Sequence, residues 1–225
     1  MLCVSVELES FPELLALTRA NACLSASVGV HPNARDGLDP DVDRLVREAA
    51  DPGVVAVGET GLDYFRSKGD LDWQRQRFRT HIRAARAVDK PLIIHSREAR
   101  GDVVSILREE GAAEVGGIMH CFVDDWETAQ RAMELDFLIS FSGIVTFKNA
   151  VELQEVARKV PLDRMLVETD SPYLAPVPVR GKPNRPAYVR HVAEFIARLR
   201  GESTEKIAGA TTGNFLRLFP SVHLH

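Results

Sequence analysis

The chain has 225 residues, 45% of them hydrophobic, enough for one sizeable core and consistent with a single domain of barrel or sheet type. Its net charge of −4 excludes a global field that draws in nucleic acid, so a polyanion partner would need a local basic patch. Cys3, Cys23 and Cys121 form no CxxC pair and are odd in number, no apolar run approaches a membrane span and no signal peptide is visible, so a cytoplasmic, soluble chain with buried thiols is expected.

In chain order, the apolar run "LCVSVE" (2–7) is followed by an amphipathic helix over 10–21, with Ser10 as N-cap and Pro12 in its first turn. "LSASVGVH" (24–31) leads to a helix over 40–50, and "VVAVGE" (54–59) to the strongest helical pattern, 70–89, with Trp73, Phe78, Ile82, Ala85 and Val88 on one face. "PLIIHS" (91–96) precedes a helix over 97–110, and "GGIMHC" (116–121) one over 125–134. "DFLISF" (136–141), a helix over 149–159, "RMLVETD" (164–170), a Pro-rich loop over 172–186 and helices over 187–200 and 211–218 complete the chain. Runs that are continuous rather than alternating, separated by helices, predict βαβ units around a parallel sheet, an α/β fold, with 1–225 as one domain.

The ends of the runs carry the chemistry. His31, Glu59, His95, His120 and Asp170 each close or nearly close a run, at steps of 28, 36, 25 and 50, the last step holding the extra strand 136–141. A βαβ unit takes roughly 30 residues, so these side chains are expected at the carboxyl edge of the sheet, where α/β folds build their sites. A single histidine at a strand end is ordinarily a hydrogen-bonded core residue. Three with two acids also form a ligand set for a hydrolytic divalent ion, and both readings stand at this point. Glu168, on the face of Asp170 but deeper, is either a partner of a ligand or a buried ion-pair acid. Asp63 and Tyr64 read as a turn after Gly61, and His81, His191, His223 and His225 are assigned no role. Arg97 opens the 97–110 helix, where N–H groups favour anions, and Arg180, Lys182 and Arg185 are either a solvated loop or a phosphate contact.

Together "VGVHP", "VGETGLDYF", "PLIIHSREA", "GGIMHCF", "FLISFSGIVTFKNA", "PLDRMLVETDSPYLAPVPVRGKPNRPAYVRHVAE" and "TTGNFLRLF" resemble the TatD family of metal-dependent deoxyribonucleases, of the amidohydrolase-like TIM-barrel superfamily, over roughly residues 24–219. The resemblance implies that Glu59 bridges two divalent ions, that His95 and His120 bind one, and that Asp170 binds the other and handles the proton of the attacking water. It implies phosphodiester hydrolysis in DNA, trimming from 3′ ends, with Mg²⁺ or alternatively Mn²⁺ or Zn²⁺. His31, Arg97, Arg180, Lys182 and Arg185 would contact the substrate. Family members begin with a strand ending in Asp-x-His-x-His, which does not occur near Met1. The sequence alone therefore predicts about seven strands of a TIM barrel lacking the first strand and helix, and one ion held better than two. Another amidohydrolase-type hydrolase, or an inactive remnant, is the alternative. Glu59, where a carbamylated lysine would stand in some of those enzymes, favours the nuclease.

Overall fold

The computed structural model describes residues 1–35 and 39–222; His223 and His225 lie outside that range. Its strands are β1 (Leu2–Cys3), β2 (Ser25–Val28), β3 (Val54–Asp63), β4 (Leu92–Arg97), β5 (Gly117–Met119), β6 (Phe137–Phe141) and β7 (Met165–Val167). Its helices are α1 (Phe11–Ala20), α2 (Val42–Ala49), α3 (Asp72–Val88), α4 (Arg100–Glu109), α5 (Trp126–Met133), α6 (Val151–Lys159), α7 (Val189–Arg200) and α8 (Thr204–Leu218). The seven expected strands are all present. The chain forms two compact units, Met1–Ile118 with the residues from Leu218 onward, and Met119–Arg217.

In the first unit, β1 pairs with β2, β2 with β3 and β3 with β4, all parallel. The Val- and Ala-rich β3 is buried along its whole length, as a strand covered on both faces must be. Phe78, Ile82 and Ala85 of α3 are fully buried, while Arg83 and Arg86 on its outer side reach Glu110 and Glu114. Two glycines let β3 and β4 approach closely. A Cβ at Gly58 would lie 2.6 Å from the Ile93 carbonyl oxygen, and one at Gly61 only 2.0 Å from that of His95. Both also hold φ above +130°, where a side chain is strained. Buried hydroxyls join the strand ends: Ser27 Oγ donates to the Gly58 carbonyl at 2.6 Å and Ser5 Oγ to that of Gly29 at 3.1 Å.

In the second unit β6 and β7 pair in parallel, Ile139 opposite Met165 and Phe141 opposite Val167. Asn214 of α8 donates to the Leu162 and Met165 carbonyls at 2.8 Å, holding the helix against the start of β7. The loop after β7 is fastened from within. Asn184 is 4% exposed and donates to the carbonyls of Thr169 at 2.7 Å and Tyr173 at 2.6 Å.

Several expectations need correction. The last helix begins at Thr204, not near 211, with Ser203 Oγ accepting the Lys206 N–H at 3.1 Å. Ser10 sits at the N-cap of α1 but makes no side-chain bond to the helix. β3 runs on past Glu59, so Asp63 ends a strand instead of lying in a loop. Arg97 is the last residue of β4 and α4 starts only at Arg100, so Arg97 is not part of a helix N-terminus. The cysteines are free, but Cys23 is exposed and Cys3 and Cys121 are only partly covered, so the expected set of buried thiols does not hold.

Candidate metal centre

In the first unit, His31, Glu59 and His95 come together, one ligand atom from each lying within 4.8 Å of the others. Glu59 is placed by its own N–H, which donates to the Ser5 carbonyl at 2.9 Å. His95 is held between two acids, with Nδ1 at 3.0 Å from Glu59 Oε1 and Nε2 at 3.1 Å from Asp63 Oδ2. Asp63, at 1% exposure, also accepts the Asn33 side-chain amide at 2.7 Å and the Arg66 N–H at 2.8 Å. Burial raises the Asp63 carboxyl pKa, but the hydrogen bonds from His95, Arg66 and Asn33 outweigh it and hold the acid well below the usual carboxylate range. Burial likewise lowers that of His95, and its bonds to Asp63 and Glu59 more than restore it, so the net shift is upward.

The platform beneath these groups is polar and closed. Gln74 of α3, fully buried, accepts the Asp63 N–H at 3.0 Å and donates to the Pro32 carbonyl at 3.1 Å and to Ser67 Oγ at 2.9 Å. His81, on the same helix, accepts the Val30 N–H at Nε2, 3.0 Å, while Nδ1 donates to the Arg77 carbonyl at 2.8 Å. It fixes the backbone just before His31. The His31 ring crosses that of His95 edge-on at 4.5 Å, and its Nδ1 accepts the Asn33 N–H at 3.0 Å. With Nδ1 used as an acceptor, the neutral ring carries its proton on Nε2, which faces Glu59 Oε1 at 3.5 Å. That arrangement suits a donor better than a metal ligand.

In the second unit His120 repeats the theme. Its Nδ1 lies 3.0 Å from both oxygens of Glu168, aligned on Oε2, which also accepts Ser140 Oγ at 2.5 Å. Nε2 faces Asp170 Oδ1 at 3.5 Å. Asp170 takes a left-handed backbone, φ 57°, as does Cys121, φ 45°, beside His120. Such strain in non-glycine residues persists where the surroundings over-determine it, commonly at functional positions. The Cys121 thiol contacts Ser142 Oγ at 3.1 Å, and desolvation of the sulfur, with the nearby Glu168 charge, pushes its pKa up to about 12.

Thus two of the three candidate histidines have a carboxylate fixing one nitrogen and an acid of the candidate ligand set opposite the other: Asp63 and Glu59 about His95, Glu168 and Asp170 about His120. Histidines that bind metals are characteristically held this way, the far N–H on a carboxylate setting tautomer and orientation. The donors fit a divalent ion of the Mg²⁺, Mn²⁺ or Zn²⁺ kind. The expected groups fall as follows: Glu59, His95 and His31 meet in one unit and His120, Asp170 and Glu168 in the other. Of the expected substrate contacts, Arg97 lies over the half-exposed Phe65 ring, 4.0 Å from its centroid, and Arg180 over Phe147 at 3.7 Å. Lys182 and Arg185 are exposed. Asp63 was missed because Gly61 read as the end of the strand. Had the strand been continued, Glu59 and Asp63, four apart, would have shared a face.

Parallel strands alternating with helices and carboxylate-held histidines at the strand ends define a hydrolase of the metal-dependent α/β class. The chain belongs to the TatD related DNase family, whose description matches residues 1–220. It is 56% identical over 194 residues to the uncharacterised metal-dependent hydrolase YcfH of Escherichia coli strain K12, covering 86% of this chain and 72% of that protein. It is 30% identical to the 3′-5′ ssDNA/RNA exonuclease TatD of Citrobacter koseri, over 97% of this chain and 86% of that one. The crystal structure of YJJV, a TatD homologue from Escherichia coli, superposes with a TM-score of 0.91 at 30% identity, over 97% of this chain and 85% of that one. The TIM-barrel-type fold class expected from the sequence is therefore the one adopted. Among the described residues no helix is long and apolar enough to cross a membrane.

Proposed function

We propose that the chain hydrolyses phosphodiester bonds of DNA, removing nucleotides from 3′ ends with Mg²⁺, or alternatively Mn²⁺ or Zn²⁺. The observation that carries this reading is the carboxylate behind His95 and the one behind His120, in a chain of the TatD family. Glu59 and His95, through Nδ1, would hold a divalent ion in the first unit, and His120, through Nε2, with Asp170 in the second. Such an ion, when bound, neutralises phosphate charge and acidifies water. Asp63 and Glu168 keep each ring in the tautomer that presents a lone pair. Asp170, partly exposed, accepts the proton of the attacking water. His31 Nε2–H donates to Glu59 or to a phosphate oxygen, in keeping with a substrate contact. Arg97, Arg180, Lys182 and Arg185 supply the positive charge that a chain of net charge −4 otherwise lacks toward DNA.

The test is digestion of single-stranded DNA labelled at either end, with Mg²⁺, Mn²⁺ or Zn²⁺ and with chelator. Shortening from the 3′ end that stops with chelator, and falls on the order of a hundredfold or more in kcat for Asp170→Asn, is expected. Turnover of a lactone or amide with DNA untouched would refute the reading.

A further inference from the structure

The cleft beside the loop after β7 is lined by Phe147, Leu174, Ala175, Arg180, Gly181 and Lys182 and measures about 250 Å³. Its lining contains two cations and no acid, together with the apolar side chains of Phe147, Leu174 and Ala175. Arg180 is exposed, but its Cζ lies over the Phe147 ring, 3.7 Å from the centroid. Both walls are anchored. The turn leading to Phe147 touches the loop so closely that a Cβ on Gly143 would fall 2.0 Å from the Leu174 carbonyl oxygen. The Val177 N–H donates to Thr146 Oγ1 at 2.9 Å, and buried Asn184 closes the loop from behind.

An arginine laid on a phenylalanine offers a flat cationic plate on which any base can stack, and an adjacent lysine offers a phosphate contact. Duplex DNA cannot use such a plate, because its bases are already stacked on one another. We propose that this cleft is a subsite for one unpaired nucleotide, its base on the Phe147–Arg180 plate and its phosphate on Lys182. This rests on the nuclease reading and adds to it how a strand is recognised. The Arg97–Phe65 pair of the first unit has the same form, 4.0 Å from guanidinium carbon to ring centroid.

Binding is measured by fluorescence anisotropy of a labelled phosphorothioate oligothymidylate, which resists hydrolysis, beside an abasic phosphorothioate chain of equal length and a hairpin duplex. For Phe147→Leu, affinity for the oligothymidylate should fall about fivefold or more. Its affinity for the abasic chain should stay within about twofold and its salt slope unchanged, while Phe147→Trp should retain or tighten binding. Lys182→Ala should weaken both single chains and lower the salt slope by about 0.7. If Phe147→Leu weakens the base-bearing and abasic chains alike, or neither, or Phe147→Trp fails as Phe147→Leu does, the subsite is refuted while the nuclease reading stands. A wild-type chain that binds none of the three probes overturns both.

Discussion

At the scale of single residues, the acids behind the histidines are the sharpest test of the site. Asp63→Asn keeps shape and the Asn33 contact but removes the charge facing His95 Nε2. Metal affinity, measured by calorimetry with Mn²⁺, should fall roughly 10- to 100-fold, and the metal-free protein should also melt lower, since the Arg66 N–H loses its charged acceptor. His81 makes a different prediction. It is fully buried, and burial lowers its pKa from 6.5 to about 4, with the Arg77 charge adding to the effect and Asp39 opposing it. The folded chain therefore stays neutral at His81 where the unfolded chain takes up a proton, between pH 6.5 and about 4. Its contribution to stability is complete above the unfolded value and is lost as pH falls through that window, by on the order of 3 kcal/mol. His81→Leu should cost about 1–3 kcal/mol at pH 7, since the Val30 N–H loses its acceptor, and should flatten the denaturation profile over the same window. An unchanged profile would mean that His81 is not the titrating group. The role of His81 was not legible in the sequence, where a polar residue on a helix gives no sign of which backbone group it meets.

At the scale of elements, existence and order were readable and the ends were not. Largely apolar runs announced the strands, most plainly β3 and β6, which are buried along their whole length. Yet β3 runs four residues past Glu59, since Gly61, a breaker in isolation, serves here to admit the His95 backbone. The start of α8 was hidden for a related reason: Gly209 weakens the helical pattern, while Ser203 and Asn214 supply the bonds that hold the helix. The two glycines should respond oppositely to alanine. Gly61→Ala, with a clash against backbone and a φ of +134°, should destabilise by about 3 kcal/mol or more. Gly209→Ala, where nothing lies within 4 Å, should stabilise by about 0.5–1 kcal/mol. Chemical denaturation of the two variants checks both signs.

At the scale of the whole molecule, divalent ions should act as folding ligands, since the candidate ligands come from strands distant in sequence and are not assembled in the unfolded chain. An ion at 100 times its Kd adds about 2.7 kcal/mol to the unfolding free energy, or roughly 5–10 °C in Tm for a chain of this length. Thermal melts with Mn²⁺ and with chelator should differ by that amount, and Glu59→Gln should remove most of the difference. The five strand-end residues left a metal site and core histidines both open, and the class came from the long motifs. Of the two backing acids, Glu168 was read as either a ligand's partner or an ion-pair acid, while Asp63 was hidden because its partner His95 lies on the next strand. The close backbone contact of Gly61 with His95 has a bearing on robustness. The spacing between strands carrying Glu59 and His95 is set there by main chain against main chain, not by the fit of core side chains. Stability and ion affinity should therefore drift independently as the core varies. Ile94→Val, at a fully buried position on β4, should cost about 1 kcal/mol while leaving the Mn²⁺ Kd within roughly twofold, so the interior can be redrawn without retuning the ion it holds.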